Sequence, residues 1–177
     1  MCKTLFLACC VTLTVCASAG AQKNELSLIV GGGILTDGKA STNASAITIS
    51  YDRQIINGLA VEGSLDAFFI KNGSLNGDDF GAAQIAAVYH FGSLKSHRVI
   101  PYVTAGIGRL STDFTEIPSN VVYRFGGGIK YYFSKESPFG IRVELRDEIT
   151  PQGHQRYPLH GDPVSLISVR AGVTYRF

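Results

Sequence analysis

SLISVRAGVTYRF, residues Ser165 to Phe177, closes the chain and decides how the rest of it reads. Ile167, Val169, Ala171, Val173, Tyr175 and Phe177 share one parity, while Ser168, Arg170, Gly172 and Thr174 share the other. A period of two belongs to a strand with one apolar face. The final residues of water-soluble domains usually fray, yet here the apolar register runs onto the last residue, an aromatic ring. An end written this way expects surroundings that reward apolar side chains to the very terminus.

Upstream the same alternation recurs in stretches of about ten to fourteen residues. They are NELSLIVGGGIL from Asn24, SAITISYDRQI from Ser45, LAVEGSLDAFFI from Leu59, GAAQIAAVYHF from Gly81, VIPYVTAGIGRL from Val99, NVVYRFGGGIKYYF from Asn120 and FGIRVELRDEI from Phe139. Connections around 36–44, 71–80, 111–119 and 150–164 are long and polar, whereas those at 56–58, 92–98 and 134–138 are shorter. Long loops on one side and short turns on the other are the pattern of an up-and-down membrane barrel. Past residue 21 no apolar run approaches the roughly 18 residues that a spanning helix needs, so any crossing is made by strands. The fold expected is all-β, an eight-stranded antiparallel up-and-down transmembrane β-barrel.

Alternation does not say which face is outside; side-chain volume does. One parity holds Leu26, Leu28, Val30, Ile47, Ile49, Tyr51, Leu65, Phe69, Ile85, Tyr89, Phe125, Ile129, Tyr131, Phe139, Ile141, Val143 and Leu145, together with the terminal set. The interior of eight strands has only just enough width for side chains to fill, so the bulky set is expected to face outward. The opposite parity is rich in Gly, Ala, Ser and Thr, which leaves space for a few long polar side chains. Of the charged residues only Arg53, Arg109 and Asp147 fall on the bulky face, each near a strand end; the remaining strand charges point inward. Tyr51, Tyr89, Phe91, Tyr131, Phe133, Phe139, Tyr175 and Phe177 gather outward at the turn side, where an interfacial aromatic girdle belongs.

Composition agrees. The sequence has 177 residues, with 16 basic against 14 acidic side chains, a balance that gives no reason to expect nucleic-acid binding. All 4 cysteines, Cys2, Cys9, Cys10 and Cys16, lie before residue 17, in a segment with Lys3, the apolar run LFLACCVTLTVC and the small-residue stretch ASAGAQ. This reads as a secretory signal peptide over residues 1–21, cleaved after Ala19 or Ala21, followed by one barrel domain over 22–177. Val15 stands where a lipoprotein motif expects a small residue, which argues against acylation of Cys16.

Inward charges are the main candidate site: Glu62 and Asp66, Arg124 and Lys130, Arg142, Glu144 and Arg146, and Arg170. In a confined lumen they should pair, because a buried unpaired charge is costly. Glu144 and Arg170, on adjacent strands at similar depth, are the pair expected first. A gated ion path and an ionic core that plugs the barrel both fit, and the plug is preferred because eight strands leave little free lumen. Other motifs carry less. GILTDGKA (Gly33–Ala40) resembles a phosphate loop without its final hydroxyl or following helix. His154, His160 and Asp162, with the two histidines six apart on one irregular loop, make a weak metal signal; His90 and His97 fall at the periplasmic end, and His154 and His160 have no serine partner on the lipid face, so all four histidines read as solvated. No catalytic, cofactor-binding or metal-ligating residue is assigned, and no enzymatic activity is expected.

On these residues the sequence resembles the small outer-membrane β-barrel proteins of Gram-negative bacteria, a broad family that includes opacity-type porins and the membrane domain of outer-membrane protein A. IPYVTAGIG (Ile100–Gly108) is similar to a PYVGAGIG-type strand of that family, and Val173, Tyr175 and Phe177 resemble its terminal assembly signal. The resemblance implies export to the outer membrane and recognition by the barrel-assembly machinery. The function expected is structural or surface-interacting, with an extracellular ligand met by the long loops. A narrow porin-like channel for small solutes and a lipid A-modifying enzyme are the alternatives.

Overall fold

A computed structural model of the chain describes residues 24–36, 41–71, 80–92, 98–111, 120–151 and 163–177. It contains the strands β1 (Asn24–Thr36), β2 (Ser41–Ile56), β3 (Leu59–Lys71), β4 (Phe80–His90), β5 (Val99–Ser111), β6 (Asn120–Tyr132), β7 (Phe139–Thr150) and β8 (Val164–Arg176). Each strand pairs antiparallel with its chain neighbours, and β8 returns to β1, so the barrel is closed without a free edge. One lateral ladder runs Asn24, Arg53, Val61, Ala87, Ala105, Phe125, Asp147, Ile167 and re-enters β1 at Ile34, ten residues above its start. That stagger tilts the strands by about 40° to the axis.

The faces are as expected. Leu28, Ile49, Leu65, Ile85, Phe125, Leu145, Val169 and Val173 are exposed on the outside, while the opposite parity is buried. Tyr89 meets Phe91 edge-on at 5.2 Å between ring centroids, and Phe139, Tyr175 and Phe177 follow one another at 5.0 and 5.8 Å. These rings form the girdle at the end that carries Asn24 and Phe177. The last residue is held by backbone: Phe177 N–H donates to the Asn24 carbonyl at 2.9 Å, and Asn24 N–H donates back at 3.2 Å. Phe177 thus completes the β1–β8 seam as well as the aromatic ring.

Two details depart from the expectation. β2 starts at Ser41, so most of the polar 36–44 stretch continues the hairpin; Thr42 and Ala44 face inward opposite Leu35 and Gly33. Polar and small residues there gave no visible alternation, although the β1 partner fixes their register. The interior is also not only small and ionic. Ile29, Phe68, Val88, Ile100, Tyr102, Val122, Tyr132 and Leu166 are buried inside.

Glycine makes room for them. A Cβ on Gly128 would stand 2.9 Å from both the Tyr102 hydroxyl and Glu144 Cα, and one on Gly172 would stand 2.6 Å from Ile29 Cα. Inward glycines therefore let neighbouring strands close at the tight curvature of a narrow barrel. Gly58, at φ 82°, supplies the left-handed residue of the Asn57-Gly58 hairpin turn between β2 and β3.

Candidate functional site

The eight lumen residues expected from the sequence all point inward, and barrel closure brings them into one network. Asp66 on β3 lies at its upper level, towards the end opposite the termini. It accepts hydrogen bonds from Arg170 at 2.7 Å, from Arg146 at 3.0 Å and from the Thr48 hydroxyl at 2.6 Å. Arg170 also pairs with Glu148, whose other oxygen accepts from Gln84 Nε2 at 2.7 Å. At mid-depth Glu62 pairs with Arg124 and, at 2.7 Å, with Arg142. Glu144 receives Arg142 at 2.8 Å, Arg146 at 2.5 Å and the Tyr102 hydroxyl at 2.7 Å. Near the termini Lys130 bridges Glu25 and Asp52, each at 2.7 Å, and Glu25 accepts from Tyr132 and Thr174 at 2.7 and 2.6 Å.

The pair expected first does not form. Glu144 and Arg170 stand opposite one another in the β7–β8 register, but Arg170 reaches across to β3 and up to Glu148, while Glu144 is held by two arginines of its own strand. Long side chains in a narrow lumen choose partners across the barrel, and adjacency in sequence order does not show these. Glu25, Asp52 and Glu148 belong to the network although the named cluster omitted them; their parity, shared with Ser27, Ser50 and Glu144, was the available signal. Among the described residues the buried acids Glu25, Asp52, Glu62, Asp66, Glu144 and Glu148 match the buried bases Arg124, Lys130, Arg142, Arg146, Arg170 and Arg176 one for one. The core is electrically balanced, which is what allows so many charges to remain out of water.

Both ends of this core are covered. Above it Phe68, Leu166, Ala44, Ala46 and Ala82 form an apolar layer with Leu35, Phe80 and Leu110 packed on it. Phe68 stacks on Phe80 at 4.6 Å, and the Arg170 guanidinium lies 5.4 Å from the Phe68 ring centroid, so the layer rests directly on the charges. Below, Ile100 packs with Tyr132, and the Arg176 guanidinium sits 4.1 Å over the Tyr132 ring while donating to the carbonyls of Ser137 and Lys135.

His90, expected as a solvated residue near the turns, is instead buried in the lumen beside Tyr102, with ring centroids 6.0 Å apart. Both of its ring nitrogens lack a hydrogen-bond partner among the described residues. The described residues contain no group of three metal-ligating side chains. His97, His154, His160 and Asp162 lie outside the described residues, as do the signal segment and part of GILTDGKA. Of the terminal motif, Val173 and Tyr175 face outward and Phe177 completes the seam.

No curated protein matches the sequence. The model of the outer membrane protein beta-barrel domain family matches residues 7–177. Among solved structures, the chain is similar to Neisserial surface protein A, with a TM-score of 0.72 and 16% identity over 90% of this chain and 100% of that one. It is similar to the N-terminal β-barrel domain of Pseudomonas aeruginosa OprF, with a TM-score of 0.54 and 15% identity over 88% and 100% of the two chains. The outer membrane enzyme PagL gives 0.55 and 18% over 86% and 99%. At these identities the likeness is one of fold.

Proposed function

The chain belongs to the outer membrane protein β-barrel domain family, and from that premise we propose that it is a closed, non-conducting anchor whose loops meet the exterior. It resides in the outer membrane of a Gram-negative cell, its apolar belt in lipid, and the end that carries Asn24 and Phe177 is taken as periplasmic. The observation that carries the proposal is the stacking of an apolar layer, Phe68, Phe80, Leu110 and Leu166, on a balanced ionic core. A solute path needs continuous wet lumen, whereas charges paired to one another under a dry lid leave none.

The test is planar-bilayer conductance of the purified, refolded chain. Silence is expected, both for the native chain and for Arg170→Ala; discrete steps that Arg170→Ala abolishes or alters would replace the anchor by the channel. Heat-modifiable gel mobility, a compact form in detergent that slows only after boiling, reports that the barrel is folded. Recognition falls to the loops, and Thr150–Val164 is the first candidate for an extracellular ligand. Val173, Tyr175 and Phe177 are the proposed contact for the barrel-assembly machinery. A lipid-modifying activity is read by mass spectrometry of lipid A with and without expression, and an unchanged profile is expected.

A further inference from the structure

Among the described residues the lipid-facing wall carries Arg53 towards the turn end and, towards the opposite end, two charges that the anchor does not use, Arg109 and Asp147. Asp147 on β7 faces outward and is partly buried among Phe125, Ile167, Leu145 and Ile149. Its register places it beside Phe125 and Ile167, two positions below Ile149, at the upper margin of the apolar belt, where headgroups meet hydrocarbon. Its partner is the Ser165 hydroxyl, which donates to Oδ1 at 2.7 Å; Oδ2 has none among the described residues. Arg109 on β5 is exposed on the same wall and has no side-chain partner among the described residues. The two do not satisfy each other. They flank β6 opposite Val121 and Phe125, with Tyr123 as the diagonal neighbour of both.

We propose that Arg109, Tyr123, Asp147 and Ser165 form a headgroup site for a phosphorylated glycolipid of the outer leaflet. The chemistry is complementary. Arg109 offers guanidinium N–H donors to a phosphate, and the free carboxylate oxygen of Asp147 accepts from a sugar hydroxyl or an amide N–H. The exposed Tyr123 ring lies between them as an apolar platform. A purely anionic lipid satisfies Arg109 but is repelled by Asp147, so the pair selects a headgroup that carries donors beside its phosphate. Low polarity around the site strengthens both interactions, and leaving either charge unmet in hydrocarbon is unfavourable. The inference rests on the outer-membrane reading above, which places this end of the barrel in the outer leaflet.

The test is native mass spectrometry of the refolded full chain released from detergent after equilibration with equal amounts of diphosphoryl lipid A and phosphatidylmethanol, an anionic phosphodiester whose headgroup carries no donor. Lipid A should be retained preferentially, and Arg109→Gln and Asp147→Asn should each lower that retention about tenfold or more, the effect of one charge-assisted hydrogen bond. Lipid A stripped of phosphate should lose the dependence on Arg109 and keep the dependence on Asp147. Equal retention of both lipids, or unchanged retention in both variants, would overturn the site. Heat-modifiable mobility is measured on the same samples: variants that keep it while losing lipid A support the site, and a native chain that never shows it would sink the barrel reading instead.

Discussion

The two faces of each strand obey one alternation but are held by different physics. Outward, Leu28, Ile85, Leu145 and Val169 act singly, each through contact with hydrocarbon, and one could be exchanged for another apolar residue with little consequence. Inward, Glu62 serves Arg124 and Arg142, while Arg146 is shared between Asp66 and Glu144. Neighbouring members of that network cannot be treated as independent. A surface that asks only for a class of side chain tolerates variation; a lumen that asks for particular partners does not.

Breaking the lumen should therefore have the largest effect. Glu62→Gln leaves Arg124 and Arg142 short of a carboxylate in a wholly buried setting and is expected to cost about 3–5 kcal/mol, measured by urea unfolding in lipid vesicles followed by circular dichroism. Adding Arg142→Met should recover part of the loss; strict additivity of the two would show that the network is not coupled. On the outer face only a charge should approach this size. Leu145→Arg is expected to cost about 2–4 kcal/mol in the same assay, and Ile149→Arg, nearer the rim, about 0–1 kcal/mol. Equal costs at both depths would contradict the placement of the belt.

Gly172→Ala tests the backbone between the faces. Its Cβ would crowd Ile29 Cα and the Leu28 carbonyl across the β1–β8 seam, an overpacking of about 1–3 kcal/mol, whereas Gly63→Ala, outward with open space around its Cβ position, should be nearly silent. A thermodynamic change nearly as small is expected from Phe177→Ala, because its N–H and carbonyl bonds to Asn24 are backbone and survive. Its yield of heat-modifiable protein in cells should nevertheless fall, and normal yield would remove the assembly role proposed for the terminal motif.

How legible each region was follows from the same difference. Strand spans, outward parity and girdle could be read because a period of two and side-chain volume are local properties. Ser41–Ala44 was missed because its residues are polar or small, so only pairing with Gly33–Thr36 reveals a strand. His90 was misplaced because a histidine beside a turn looks the same whether it faces water or a lumen. The expected Glu144–Arg170 pair failed because strand order gives lateral neighbours alone, whereas Asp66 and Glu62 reach their arginines across the axis.

By itself the sequence determined that eight alternating stretches turn their greasy side outward and their charges inward, since burying the reverse set in so narrow a barrel is sterically excluded. Only the tertiary structure decided which charges meet, that aromatic and aliphatic side chains lid them, and that Phe177 locks to Asn24. Those outcomes depend on closure and stagger, which bring together residues up to 153 positions apart, Asn24 and Phe177, and no local pattern encodes that.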